Sequence, residues 1–92
     1  MAVIALGMIE TRGFTGAVEA ANTMLQTGDV KLIGKQITND NFITVFITGG
    51  YESVKSAVET GADSVRKTGE LISYHVIANP HPELNLILPN NI

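Results

Sequence analysis

Near the middle of the chain two apolar runs, Val30 to Ile37 and Phe42 to Ile47, are separated only by Thr38-Asn39-Asp40-Asn41. A polar loop of about four residues between such runs is in the range that joins antiparallel strands, so this stretch predicts a hairpin. Asn and Asp suit its tip because their side chains bond the local backbone and tolerate left-handed dihedrals. Taken by itself, Ile37 to Phe42 reads as an ordinary polar turn. What it can become depends on what flanks it.

Ahead of the hairpin, Ala2 to Glu10 is almost continuously apolar and predicts a central strand covered on both faces, ended by a turn at Gly13. From Phe14 to Thr27, Val18, Ala21 and Leu25 fall at helical spacing with Ala17, Ala20 and Met24 alongside. This predicts a helix with that stripe on the core, Thr15 near its cap and Gly28 as its stop. In the run after Asp29, Lys31, Ile33 and Lys35 alternate with Val30, Leu32 and Gly34, which predicts one more polar side. After the hairpin, Thr48-Gly49-Gly50 is expected to break the strand. Tyr51 to Thr68 is the clearest helix, with Val54, Ala57, Val58, Gly61, Ala62 and Val65 in one stripe. Its wet face offers Lys55–Glu59 and Asp63–Lys67 four residues apart. Glu70 to Ala78 returns to strand, Pro80 and Pro82 interrupt regular structure, and Glu83 to Pro89 has the length for one helical turn. The order strand, helix, strand, strand, helix, strand is that of an α+β sandwich, the ferredoxin-like arrangement with both helices on one face.

At 92 residues the chain is expected to form a single domain over 1–92. A chain this short buries only roughly 60–65% of the surface its unfolded form exposes. With 45% of residues hydrophobic and only 16% charged, it carries more apolar surface than a lone small domain usually leaves bare, which predicts an oligomer. The absence of cysteine excludes disulfides, thiolate metal sites and a thiol nucleophile. Nine acidic residues against six scattered basic ones leave no basic stripe, so no nucleic-acid partner is expected. Neither a signal peptide nor an apolar run near the ~20 residues of a bilayer span is visible, giving the expectation of a soluble, cytoplasmic protein with no lipid membrane partner.

Candidates for catalysis are few. His75 and His81 are the general-base candidates near neutral pH. His75 sits in an apolar strand and reads as a core or interface histidine, while His81, between two prolines, reads as structural. Their spacing matches no metal motif, no cofactor is implied, and the serines lack a triad signature. Gly49-Gly50 before a helix lacks the following Lys-Ser/Thr of a phosphate loop and reads as a strand-to-helix turn.

Several stretches together carry a family likeness. Leu6-Gly7-Met8-Ile9-Glu10-Thr11-Arg12-Gly13-Phe14 with Val18-Glu19-Ala20-Ala21 resembles the opening of bacterial microcompartment shell proteins, the BMC domain in its unpermuted form. Val30-Lys31-Leu32-Ile33-Gly34, Val54-Lys55-Ser56-Ala57-Val58 with Gly61-Ala62, Gly69 to Ile77, Pro80-His81 and the Ile87-Leu88-Pro89 ending continue it over nearly the whole chain. The resemblance implies a non-enzymatic homohexamer, a flat tile of a shell in the cytoplasm that packs beside other shell proteins around enclosed enzymes. It implies a central pore for small metabolites, lined by the loop between the second and third strands, here Asn39, Asp40 and Asn41.

Three departures from the family pattern bear on function. The usual pore loop is small and glycine-rich, whereas this one carries amides and a carboxylate. In a cyclic hexamer one Asp40 becomes a ring of acids, and such rings favour cations and repel anions, while carboxylates held close raise one another's pKa. At the tile edge, Gln26 stands where the family commonly has lysine and Asn79 where arginine precedes Pro80-His81, so the resemblance implies altered tiling more than altered hexamer formation. Two other classes fit the scaffold: a small-molecule sensor domain with its ligand between subunits, and a minor enzyme activity around His75 and Tyr74.

Overall fold

The computed structural model describes residues 4–38 and 41–89. Strand β1 (Ile4–Arg12) leads through Gly13 into helix α1 (Phe14–Thr27), followed by β2 (Val30–Thr38), β3 (Phe42–Gly50), α2 (Tyr51–Arg66), β4 (Leu71–Ile77) and a short 3-10 helix, Pro82–Leu86. The strands form one sheet ordered β2-β3-β1-β4, antiparallel at every pairing. The α+β sandwich expected from element order is the one observed.

Boundaries moved where a partner strand or a cap outweighed local sequence. β1 runs on to Arg12 because Arg12 pairs with Phe42 and Thr11 with Ile43. Thr48-Gly49-Gly50 does not break β3, since Gly49 is paired on both sides, with Ala5 and Val30, and Gly50 with Ile4. α2 ends at Arg66 rather than Thr68. There the Thr68 hydroxyl and amide both donate to the Val65 carbonyl, at 2.7 and 2.9 Å, and Gly69 turns left-handed at φ 80°.

Both helices lie on one face of the sheet and bury the main core. α2 behaves as its spacing predicts, with Val54, Ala57, Val58, Gly61, Ala62 and Val65 all buried. Gly7 makes room for it, because a Cβ there would lie 2.7 Å from both Val54 and Val58 methyls. A Cβ at Gly61 would meet Met24 at 2.8 Å and Ile9 at 2.9 Å. Glu19 of α1 accepts hydrogen bonds from Ser64 of α2 and from Thr23 on its own helix, clasping the pair from outside. On the wet face the ion pair among the described residues is Arg66–Asp63, not the pairs four apart expected from sequence.

α1 departs from expectation. Its buried residues are Gly16, Ala17, Ala20 and Met24, while Val18 and Leu25 are exposed. The small residues face α2 and the sheet because only they allow the helix to approach closely. The larger side chains therefore turn outward. Thr15 is not its cap; Gly13 holds that position without a side-chain bond.

The helix-free face is divided. Its apolar half holds Leu6, Ile33 and Phe46, with Met8, Ile77 and Leu88 packed against them. Leu88 arrives there because the tail after β4 folds back across the sheet. Ile33 reaches this face through an irregularity in pairing between Leu32 and Gly34, so the simple alternation read from sequence fails at that point. The half nearer the hairpin is polar, a row of Gln36, Thr44, Glu10 and Ser73 across all four strands. The Ser73 hydroxyl donates to Glu10 at 3.1 Å.

Candidate functional site

The hairpin expected from Ile37 to Phe42 is present. Ile37 pairs with Ile43 and Thr38 with Phe42, and the Thr38 hydroxyl donates to the Phe42 carbonyl at 3.3 Å. Of the three expected pore residues, Asn39 and Asp40 lie outside the described residues. Asn41 is exposed with φ 65°, the left-handed conformation that asparagine tolerates better than most residues.

The base of this tip is fastened to the turn between β1 and α1. The Gly13 amide donates to the Asn41 carbonyl at 2.8 Å, and Gly13 adopts φ 90°, open to glycine at little cost. One residue earlier, the Arg12 guanidinium lies over the Phe42 ring, 5.5 Å from its centroid. Beside the junction is an open cavity of about 610 Å³, with Arg12, Asn41, Glu19 and Glu70 on its walls. The hairpin base is therefore braced at Asn41 and Phe42.

The expected edge residues collect at the other end of the sheet. α1 runs back from the end of β1 towards its start, leaving Gln26 exposed in its last turn. β4 ends opposite Leu6, again near the start of β1, and Asn79, Pro80 and His81 follow it. The protomer measures 37 by 26 by 15 Å. Asn79 and His81 are exposed and Pro80 is half-buried. His81 also acts locally, because its Nδ1 accepts the Glu83 amide at 3.1 Å and caps the 3-10 helix.

His75 and Tyr74 are not brought together. His75 stands opposite Met8 on the helix-free face and Tyr74 opposite Ile9 on the helix side, as alternation along a strand requires. His75 is exposed in the protomer rather than in its core, and Tyr74 lies under the Arg66 guanidinium at 5.9 Å. Ser73 shares a face with His75 but gives its hydroxyl proton to Glu10. Among the described residues no group of three or more His, Asp or Glu is placed to hold a metal.

A feature that sequence alone did not reveal is a shelf beside β2. The helices sit over β3, β1 and β4, leaving the helix side of β2 largely uncovered. Phe14, Val18 and Leu25 of α1 and Leu32 and Ile37 of β2 are all exposed along this step. Between α1 and β2 runs a groove of about 500 Å³, with Lys35 and Pro89 at its margin. The signal lay in α1, which has apolar residues around more than half its circumference and so more than one core can use.

Comparison with known proteins places this geometry. Residues 5–80 match the BMC domain family. The bacterial microcompartment shell protein PduA of Citrobacter freundii is 41% identical over 88 residues, covering 96% of this chain and 95% of that protein. The major carboxysome shell protein CsoS1A of Halothiobacillus neapolitanus is 44% identical over 87 residues, covering 94% and 89%. A microcompartment protein from Desulfitobacterium hafniense DCB, known from its crystal structure, superposes with a TM-score of 0.84 at 33% identity over 94% of this chain. The match spans about half, 49%, of that longer chain.

Proposed function

Because this chain belongs to the BMC-domain family, we propose that it is a structural, non-catalytic tile of a bacterial microcompartment shell, assembled as a cyclic hexamer around a pore. The observation that carries the arrangement is the separation of its two polar ends. The hairpin base at Asn41, held by Gly13, lies at the end of the sheet where β1 finishes, and Gln26 and Asn79 lie at the opposite end, near the start of β1. A cyclic ring needs such a wedge, with one end at the axis and the other at the perimeter.

In this reading Asn39, Asp40 and Asn41 line the axis and small metabolites pass between them. Six-fold repetition of Asp40 makes the passage favour cations and neutral polar molecules over anions. At the perimeter, Gln26, Asn79, Pro80 and His81 meet other shell proteins. Amides at Gln26 and Asn79 make these contacts depend on hydrogen bonds rather than on charge. Enclosed enzymes are partners of the assembled shell.

Light scattering and electron microscopy of the purified protein test the assembly, and a hexamer with Asp40 at the axis is expected. For the pore, caesium soaked into crystals is expected to give axial anomalous density in the wild type and none in Asp40→Asn. Monomers or dimers alone, or Asp40 on the outer rim, would sink the reading.

A further inference from the structure

We propose that the open cavity between the β1–α1 turn, the hairpin base and the α2–β4 turn binds a small aliphatic amino acid as its zwitterion. Arg12 takes its carboxylate, and Glu70 with Glu19 takes its ammonium. All three side chains belong to one protomer, so the site lies beyond the ring reading and does not depend on it.

The backbone frames the cavity. The Arg12 amide donates to the Glu70 carbonyl at 2.9 Å and the Gly13 amide to the Asn41 carbonyl at 2.8 Å, which stitches the three segments together. Inside that frame two positions carry no side chain. A Cβ at Gly16 would lie 3.2 Å from the Cβ of Glu70, and one at Gly13 would stand 3.6 Å from the Asn41 Nδ2. The space left is about 610 Å³, in the size range of small-molecule sites.

The charges on its walls point to a ligand. Arg12 and Glu70 are joined through their backbones and line one cavity, yet their side chains do not pair. The ion pair among the described residues is Arg66–Asp63. A different neighbour holds each of the two apart. The Arg12 guanidinium lies over the Phe42 ring, which occupies its face and leaves its N–H edge without an acceptor among the described residues. Glu70 rests against the start of α1 through its Cβ, and its carboxylate has no donor among those residues. Glu19 adds a second acid. Its Oε2 takes the hydroxyl protons of Thr23 and Ser64, which fixes the carboxylate and leaves Oε1 unused.

A cation and two acids held apart around one space match a molecule that carries both charges itself. The edge of a guanidinium receives a carboxylate through two parallel bonds, and an ammonium has three donors to divide between two carboxylates. A simple anion would face the acids unpaired, and a simple amine would leave Arg12 unpaired. Only a zwitterion satisfies both walls.

Calorimetric titration of the purified, assembled protein with β-alanine, propionate and propylamine tests this. β-Alanine should bind about tenfold tighter than either control, because each control engages one wall only. Arg12→Gln should lower β-alanine to the level of propylamine, and Glu70→Gln should lower it towards that of propionate. Arg12→Lys keeps the charge and should retain a preference that Arg12→Gln loses. Circular dichroism and sedimentation matching the wild type show that each variant is folded and assembled.

Equal binding of the three compounds, no binding of β-alanine, or an affinity for it unchanged in Arg12→Gln or Glu70→Gln would overturn the proposal. A protein that binds β-alanine as a monomer and never forms a ring overturns the ring reading and leaves this site standing. A hexamer that ignores β-alanine does the reverse.

Discussion

The two helices are of similar length and pack on the same sheet, yet they are used differently. Every large apolar residue on the stripe of α2 is buried within its own chain, and apart from Tyr51 at its start the remaining surface is charged or polar. α1 buries glycine, two alanines and Met24, and leaves Phe14, Val18 and Leu25 in solvent. Amphipathicity that one protomer consumes belongs to folding. Apolar surface that it cannot consume is what drives association.

The same substitution on each helix is the sharpest way to break this comparison. Val58 is fully buried and its methyl group fills the space that Gly7 leaves open. Val58→Ser removes that methyl contact and strands a hydroxyl among apolar neighbours. The cavity and the buried polar group together should cost roughly 3–5 kcal/mol of protomer stability. Urea denaturation at low protein concentration measures it. A loss below about 1 kcal/mol would mean that α2 is less committed to the core than its burial implies.

The helix starts sharpen the contrast with a smaller effect. α1 begins at Gly13, whose φ of 90° other residues rarely adopt and whose amide holds Asn41. Gly13→Ala should cost about 1–3 kcal/mol and loosen the hairpin base. α2 begins at Gly50, with φ −63° and open space where a Cβ would stand. Gly50→Ala should leave stability unchanged to within about 0.5 kcal/mol or raise it slightly by restricting the unfolded chain. Equal losses at the two glycines would show that backbone geometry does not distinguish the two helix starts.

Much of the architecture was legible because pattern and topology agreed. The α2 stripe, the hairpin and the alternation of elements each had one physical solution. Sequence failed where packing chose between two solutions. In α1 both the Val18–Leu25 side and the Ala17–Met24 side are apolar, and only the closeness of α2 at Gly61 decides which faces inward. In β2 an irregular pairing turns Ile33 into a cluster that the tail residue Leu88 joins from many positions away, and no local pattern reports it. For the site, the hairpin was visible as a turn, and the pore role proposed for it came from resemblance. The shelf went unseen because an exposed apolar face looks like a core face until the core is full.

Val18→Ser completes the pair with Val58→Ser and should have the smallest effect on folding. Val18 is half-exposed on the outer side of α1, so its loss opens no cavity, and serine there leaves its hydroxyl in water. Helix propensity differs little between valine and serine. Protomer stability should therefore change by less than about 0.5 kcal/mol in dilute urea titrations. In the proposed hexamer this exposed surface would be covered between copies, so assembly should respond in the opposite sense, with dissociation at higher protein concentration than in the wild type. Sedimentation across a dilution series reads the second effect independently of the first. Unchanged assembly with unchanged folding would leave Val18 with no role in either, and the division between a folding helix and an associating one would fail at its most exposed residue.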